Sequence, residues 1–117
     1  MQINKVGVVG AGAMGAGIAQ IASQAGHQVI LYDLSQAALD ESSSKLAKVM
    51  DRLVVKTRVS SDEALAIQAR IERTTKIELF VGCDLIVEAV IENLDMKRSV
   101  FKQVEKIVSR ECIVASN

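Results

Sequence analysis

The chain has 117 residues, half of them hydrophobic, with 14 basic and 14 acidic side chains and a formal net charge of zero. A single domain of this size buries more than about 60% of its unfolded surface, which argues against disorder, and the balanced charge argues against a nucleic-acid binder, which carries a basic excess. No apolar stretch reaches the ~20 residues that span a bilayer, and Met1 leads straight into a strand with no leader pattern, as suits a soluble cytoplasmic protein.

The first predicted strand is Lys5 to Val9, and Gly10-Ala11-Gly12-Ala13-Met14-Gly15 follows it at once. A helical pattern begins inside that motif, with Met14, Ile18, Ile21 and Ala25 at helical spacing and Gly26 as its C-cap. The second strand, Gln28 to Tyr32, ends at Asp33, 18 positions after Gly15. This order is that of a dinucleotide site. Gly10 permits a tight turn, Gly12 lets a pyrophosphate approach the backbone, and Gly15 lets the helix pack closely on the sheet. The amides of the first helical turn face the phosphates, and Asp33 accepts hydrogen bonds from the adenosine ribose. Glycines also cluster in ordinary turns, but the strand, the helix and the acid all agree with the nucleotide reading. NAD is favoured over NADP, because a carboxylate repels a 2′-phosphate and Leu34, Ser35 and Gln36 include no arginine to receive one. FAD proteins share the glycine pattern and stay open as an alternative.

A long helical stretch follows, with Leu39, Leu46, Met50 and Leu53 on one side, and Ser42, Ser43 and Ser44 are read as part of its solvated face. A second helical piece begins at the capping sequence Ser60-Ser61-Asp62-Glu63 and carries Leu65, Ile67 and Ile71. A third strand is placed near Ile71 to Thr75, and Asp84 to Glu88 reads as a fourth. Asn93 can cap a helix whose stripe is Val100, Phe101, Val104, Ile107 and Val108, and Cys112 to Ala115 reads as a fifth strand. Cys83 and Cys112 each open an apolar run and read as core fillers in a reducing compartment. His27, the only histidine, sits in a turn. Strands without polar alternation, joined by helices, imply an α/β fold of the Rossmann type, a doubly wound parallel sheet. Its full form has six strands in the order 3-2-1-4-5-6, so a sheet of about five is incomplete.

Read together, the segment Val6 to Gln20, Leu31-Tyr32-Asp33, Asp84 to Asn93, Lys97 with Phe101, and Ala115-Ser116-Asn117 resemble the N-terminal NAD-binding domain of the 3-hydroxyacyl-CoA dehydrogenases. The resemblance covers essentially the whole chain, residues 1–117, and is greatest to enzymes of the 3-hydroxybutyryl-CoA type. It implies that Gly10, Ala11, Gly12, Ala13, Met14, Gly15 and Asp33 hold the ADP half of NAD. It also implies that Glu92 and Lys97 lie beside the nicotinamide half, that Asn117 begins an active-site stretch, and that Lys56 matches a lysine touching the CoA moiety. A lysine in the first turn of a helix opposes the dipole, and such breaches gather at functional sites.

The same resemblance implies a parent enzyme that oxidises short-chain (S)-3-hydroxyacyl-CoA in fatty-acid metabolism and works as a homodimer. The family's catalytic serine, His–Glu pair and later asparagine, together with a C-terminal helical domain, have no counterpart among these 117 residues. No catalytic residue is therefore assigned, and the chain alone is expected to be inactive. Two other readings are a different Rossmann dehydrogenase acting on small hydroxy acids and a non-catalytic NADH-binding module.

Overall fold

The computed structural model describes residues 3–89, 94–108 and 112–116. In chain order its elements are β1 (Lys5–Val9), α1 (Ala13–Gln24), β2 (Gln28–Tyr32), α2 (Gln36–Val55), α3 (Ser61–Ala69), β3 (Ile71–Thr74), a 3₁₀ turn (Ile77–Phe80), β4 (Leu85–Glu88), α4 (Leu94–Ile107) and β5 (Ile113–Ser116). Every strand pairing is parallel, and the order across the sheet is β3-β2-β1-β4-β5. This is the doubly wound arrangement that the alternation of strands and helices predicts.

Successive residues of β2 show why the strand runs lack polar alternation. Val29 and Leu31 point into a core under α1, α2 and α3, with Val6, Val8, Leu39, Met50 and Ile67. Ile30 and Tyr32 point into a second core with Phe80, Ile86 and Val104 of α4. Both sheet faces are covered, so both sets of side chains must be apolar. The sequence pattern did not reveal the 3₁₀ turn, yet Phe80 within it is fully buried and meets Tyr32 edge to face at 5.9 Å. Cys83 fills the same core, and burial pushes its thiol up to about 11. Neither cysteine is in a disulfide.

Helix α1 corrects part of the apolar stripe read from sequence, in which Ile18 does pack against the core. Its buried residues are Gly15, Ala19 and Ser23, whereas Met14 is 52% and Ile21 69% exposed. Small residues win this face because they let the helix axis approach the sheet. An added Cβ on Gly15 would stand only 1.6 Å from the Gly10 carbonyl oxygen. Ser23 donates its hydroxyl to the Ile67 carbonyl, and Arg70 Nη1 donates to the Ser23 carbonyl at 2.8 Å, which ties α1 to α3. Leu65 of α3 is likewise exposed, and Ala64 and Ile67 pack instead.

Ser42 is a second correction: it is buried, while Ser43 and Ser44 stay exposed. Its hydroxyl donates to the Leu39 carbonyl at 2.7 Å and accepts from Arg73 Nε at 2.9 Å, so the position serves β3 rather than solvent.

The caps follow the sequence. Gly26, at φ +97°, closes α1: its amide donates to the Ser23 carbonyl and that of His27 to the Ala22 carbonyl, the Schellman pairing. Ser60 Oγ accepts from the Glu63 amide at 3.0 Å. The proposed cap Asn93 lies outside the described residues. In α4, Val104 is buried and Ile107 half-buried, as is Val108 just past its end, in line with the stripe, while the side chains of Val100 and Phe101 lie outside the described set.

The Gly15 contact gives a stability test. Gly15→Ala drives a Cβ into a backbone oxygen that cannot rotate away, so a loss of ~3 kcal/mol or more and a Tm lower by ~10 °C or more are expected. Gly17, two residues on, has open space around its absent Cβ, and Gly17→Ala gains ~1 kcal/mol from helix propensity. Thermal denaturation of both variants checks the pair, and an unchanged Tm for Gly15→Ala contradicts the packing argument.

Candidate functional site

β1 lies between β2 and β4, with α1 leaving it over one face and the 3₁₀ turn and α4 covering the other. In open α/β sheets the crevice outside the strand C-termini at such a switch point is where ligands bind. The turn that leaves β1 stands there.

Its three glycines stand under three different constraints. Gly10 has φ +104°, a left-handed conformation that side chains disfavour, and its amide donates to the Tyr32 carbonyl at 2.8 Å. Gly15 is set by the close contact with Gly10. Gly12 has φ −69° and ψ −172°, which any residue can adopt, and an added Cβ would meet nothing within 4 Å. Among the described residues nothing demands a glycine at position 12. The open face it leaves suits a group as bulky as a diphosphate pressed against the backbone, so the residues present fit a dinucleotide.

The start of α1 points the same way. Ser35 caps α2 by accepting from the Ala38 amide at 3.1 Å, and Ser60 caps α3. At α1 the cap position is Gly12, which has no side chain to offer, and the first turn holds no acid. The helix ladder begins with the Ala16 amide donating to the Gly12 carbonyl at 2.9 Å. Gly12, Ala13 and Met14 are exposed. With no side-chain cap from Gly12 and no acid in its first turn, the positive end of this helix dipole suits an external anion.

Asp33 stands against this turn. Its Oδ2 accepts from the Ala11 amide and its Oδ1 from the Ser35 amide, each at 2.8 Å, and the Asp33 amide donates to the Thr74 carbonyl at 3.2 Å. A carboxylate offers about four lone-pair sites, so both oxygens keep acceptor capacity for hydroxyl donors. The bond to Ser35 is an Asx turn, legible in Asp33-Leu34-Ser35 as an acid two residues ahead of a serine cap, but the sequence reading did not draw it out.

The structure therefore brings Gly10, Ala11, Gly12, Ala13, Met14, Gly15 and Asp33 together. Glu92 and Asn117 lie outside the described residues, as does the side chain of Lys97, whose backbone belongs to the first turn of α4. Lys56 sits at the far end of the 20-residue α2 from Ser35, about 30 Å of helix away, and is not part of this cluster. Glu88 is 1% exposed at the end of β4, in register with Val9 and Ser116. Among the described residues no helix is long and apolar enough to cross a membrane, and no group of side chains has metal-ligand spacing.

Residues 5–117 match the family model described as 3-hydroxyacyl-CoA dehydrogenase, NAD binding domain. The chain is 42% identical over 113 residues to a probable 3-hydroxybutyryl-CoA dehydrogenase of Deinococcus radiodurans, covering 97% of this chain and 40% of that protein. It is 36% identical to a fatty acid oxidation complex subunit alpha of Psychrobacter cryohalolentis, with 98% of this chain and 16% of that one covered. Among solved structures, it superposes on an (S)-3-hydroxybutyryl-CoA dehydrogenase from Ralstonia eutropha with a TM-score of 0.93 at 37% identity, over 99% of this chain and 41% of that one. The chain therefore spans less than half the length of each of these relatives.

Because no described residue crowds position 12, Gly12→Ser separates binding from stability. A serine there is a better helix cap than glycine, by a few tenths of a kcal/mol, so Tm is expected to hold or rise slightly. The same side chain fills the open face, and NADH affinity is expected to fall about tenfold or more, the equivalent of ~1.4 kcal/mol. Calorimetric titration beside thermal denaturation checks both signs, and undiminished affinity contradicts the assignment of this face.

Proposed function

This chain belongs to the NAD-binding domain family of the 3-hydroxyacyl-CoA dehydrogenases, and on that footing we propose that residues 1–117 are the cofactor domain of an NAD-dependent (S)-3-hydroxyacyl-CoA dehydrogenase. Gly10 to Gly15 form the cradle, in which Gly10 and Ala11 shape the turn and the amides of the Gly12–Gly15 helix start receive the diphosphate, and Asp33 receives the adenosine ribose hydroxyls. Glu92 and Lys97 lie beside the nicotinamide half, and Asn117 opens the active-site stretch. Bound NAD supplies the hydride acceptor for C3 of the substrate. The whole protein converts a short-chain 3-hydroxyacyl-CoA to the 3-oxoacyl thioester, as a homodimer in the cytoplasm, a setting in keeping with two free thiols. The relatives named 3-hydroxybutyryl-CoA dehydrogenase support the short acyl chain.

The single observation that carries the nucleotide reading is Asp33 Oδ2 at 2.8 Å from the Ala11 amide. It stands the acid at the end of β2 directly against a glycine turn whose outer face is open. NAD rather than NADP is supported by that carboxylate and by its neighbours. Leu34 is 73% exposed and apolar, and the Ser35 hydroxyl is already engaged in capping α2.

The test is an assay of the complete protein with NADH and NADPH against acetoacetyl-CoA and against free hydroxy acids and their oxo forms. The expected result is turnover with NADH and the CoA thioester, with NADPH at least tenfold weaker in kcat/KM, about 1.4 kcal/mol of discrimination. Turnover of free acids alone moves the protein to another dehydrogenase class. Binding of FAD in place of either nicotinamide cofactor removes the proposal altogether.

A further inference from the structure

We infer that Asp33 is also a positioning residue: its carboxylate holds the glycine turn in the shape that receives the diphosphate, before any nucleotide is present. This rests on the nucleotide reading above and adds a second task to a residue assigned there only to the ribose.

Two successive amides of the turn are fixed to two successive residues at the end of β2. The Gly10 amide donates to the Tyr32 carbonyl and the Ala11 amide to Asp33 Oδ2, both at 2.8 Å. The first of these is backbone to backbone and does not depend on the Asp33 side chain. The second depends on one side chain. Ala11 itself is 5% exposed, so its amide has little access to water if the carboxylate is removed, and a donor left unmade in such a place is costly. A hydrogen bond to an ionised acceptor is also stronger than a neutral one.

The other carboxylate oxygen, held by the Ser35 amide at 2.8 Å, stops the group from swinging out of line. Asp33 thus joins the β1–α1 turn to the β2–α2 turn. The next residue along is Gly12, whose amide starts the cradle. An asparagine cannot replace this arrangement. It has one oxygen for two amide donors, and its NH₂ would face the second donor.

A binding cycle separates this role from ribose recognition. The complete protein and its Asp33→Asn variant are each titrated calorimetrically with ADP and with 2′,3′-dideoxy-ADP, which lacks the ribose hydroxyls. If Asp33 served the ribose alone, the variant and the parent would bind the dideoxy nucleotide equally. The positioning role predicts that Asp33→Asn still binds it about tenfold or more weakly, and loses a further factor on ADP. Equal affinities for the dideoxy nucleotide, with ADP binding intact in the parent, overturn this inference and leave the nucleotide reading standing. Failure of the parent to bind ADP overturns the nucleotide reading and this inference with it.

A second measurement needs no variant and covers the case in which Asp33→Asn does not fold. In the ligand-free parent, amide hydrogen exchange at Ala11 is expected to be about a hundredfold or more slower than at Gly12. Equal exchange at the two amides overturns the inference as surely as the cycle would.

Discussion

The approach of α1 to the end of β1 is the constraint on which the rest depends. With a Cβ on Gly15 standing 1.6 Å from the Gly10 carbonyl oxygen, no other residue lets the helix begin where it does. That placement sets Gly12 at the helix start, where it offers no side-chain cap, and turns its side-chain-free face outward. It also explains why the buried face of α1 is Gly15, Ala19 and Ser23. A helix packed this close has no room for larger side chains at those positions, and Ile18 reaches the core only in part.

From that contact the site assembles by register. β1 and β2 pair from Lys5↔Gln28 to Val9↔Tyr32, so the residues that follow, Gly10 and Asp33, leave the sheet side by side. Ala11 then reaches the carboxylate, and Thr74 of β3 fixes the Asp33 backbone from the other side. A one-residue slip in either pairing would carry Asp33 out of reach of the turn and reverse the two cores, since Val29 and Leu31 face one and Ile30 and Tyr32 the other. The fold and the candidate site thus depend on the same hydrophobic alternation.

Much of this was legible in the residues because it follows from local rules. Gly26 and Ser60 act within a few positions of themselves, the glycine motif and Asp33 show in their spacing, and the apolar runs Lys5–Val9 and Gln28–Tyr32 became strands at those bounds. The features that escaped are set by distant partners. Ser42 was read as solvated because its helix neighbours are polar, and it is buried because Arg73 arrives from β3. Met14, Ile21 and Leu65 looked like packing residues by spacing, and the close approach of the helices left them outside. The 3₁₀ turn at Ile77–Phe80 is too short to show a period, although Phe80 anchors the second core. The Asp33–Ala11 bond spans 22 residues, and only the sheet register brings its ends together.

The most direct measurement is a crystal structure of the complete protein with NADH bound. The account predicts diphosphate oxygens at hydrogen-bond distance, ~2.7–3.2 Å, from amides at the Gly12–Gly15 helix start, and both Asp33 contacts retained with the ribose hydroxyls added to them. A diphosphate bound away from that turn, or a carboxylate rotated off the Ala11 amide while the ribose binds elsewhere, would contradict it.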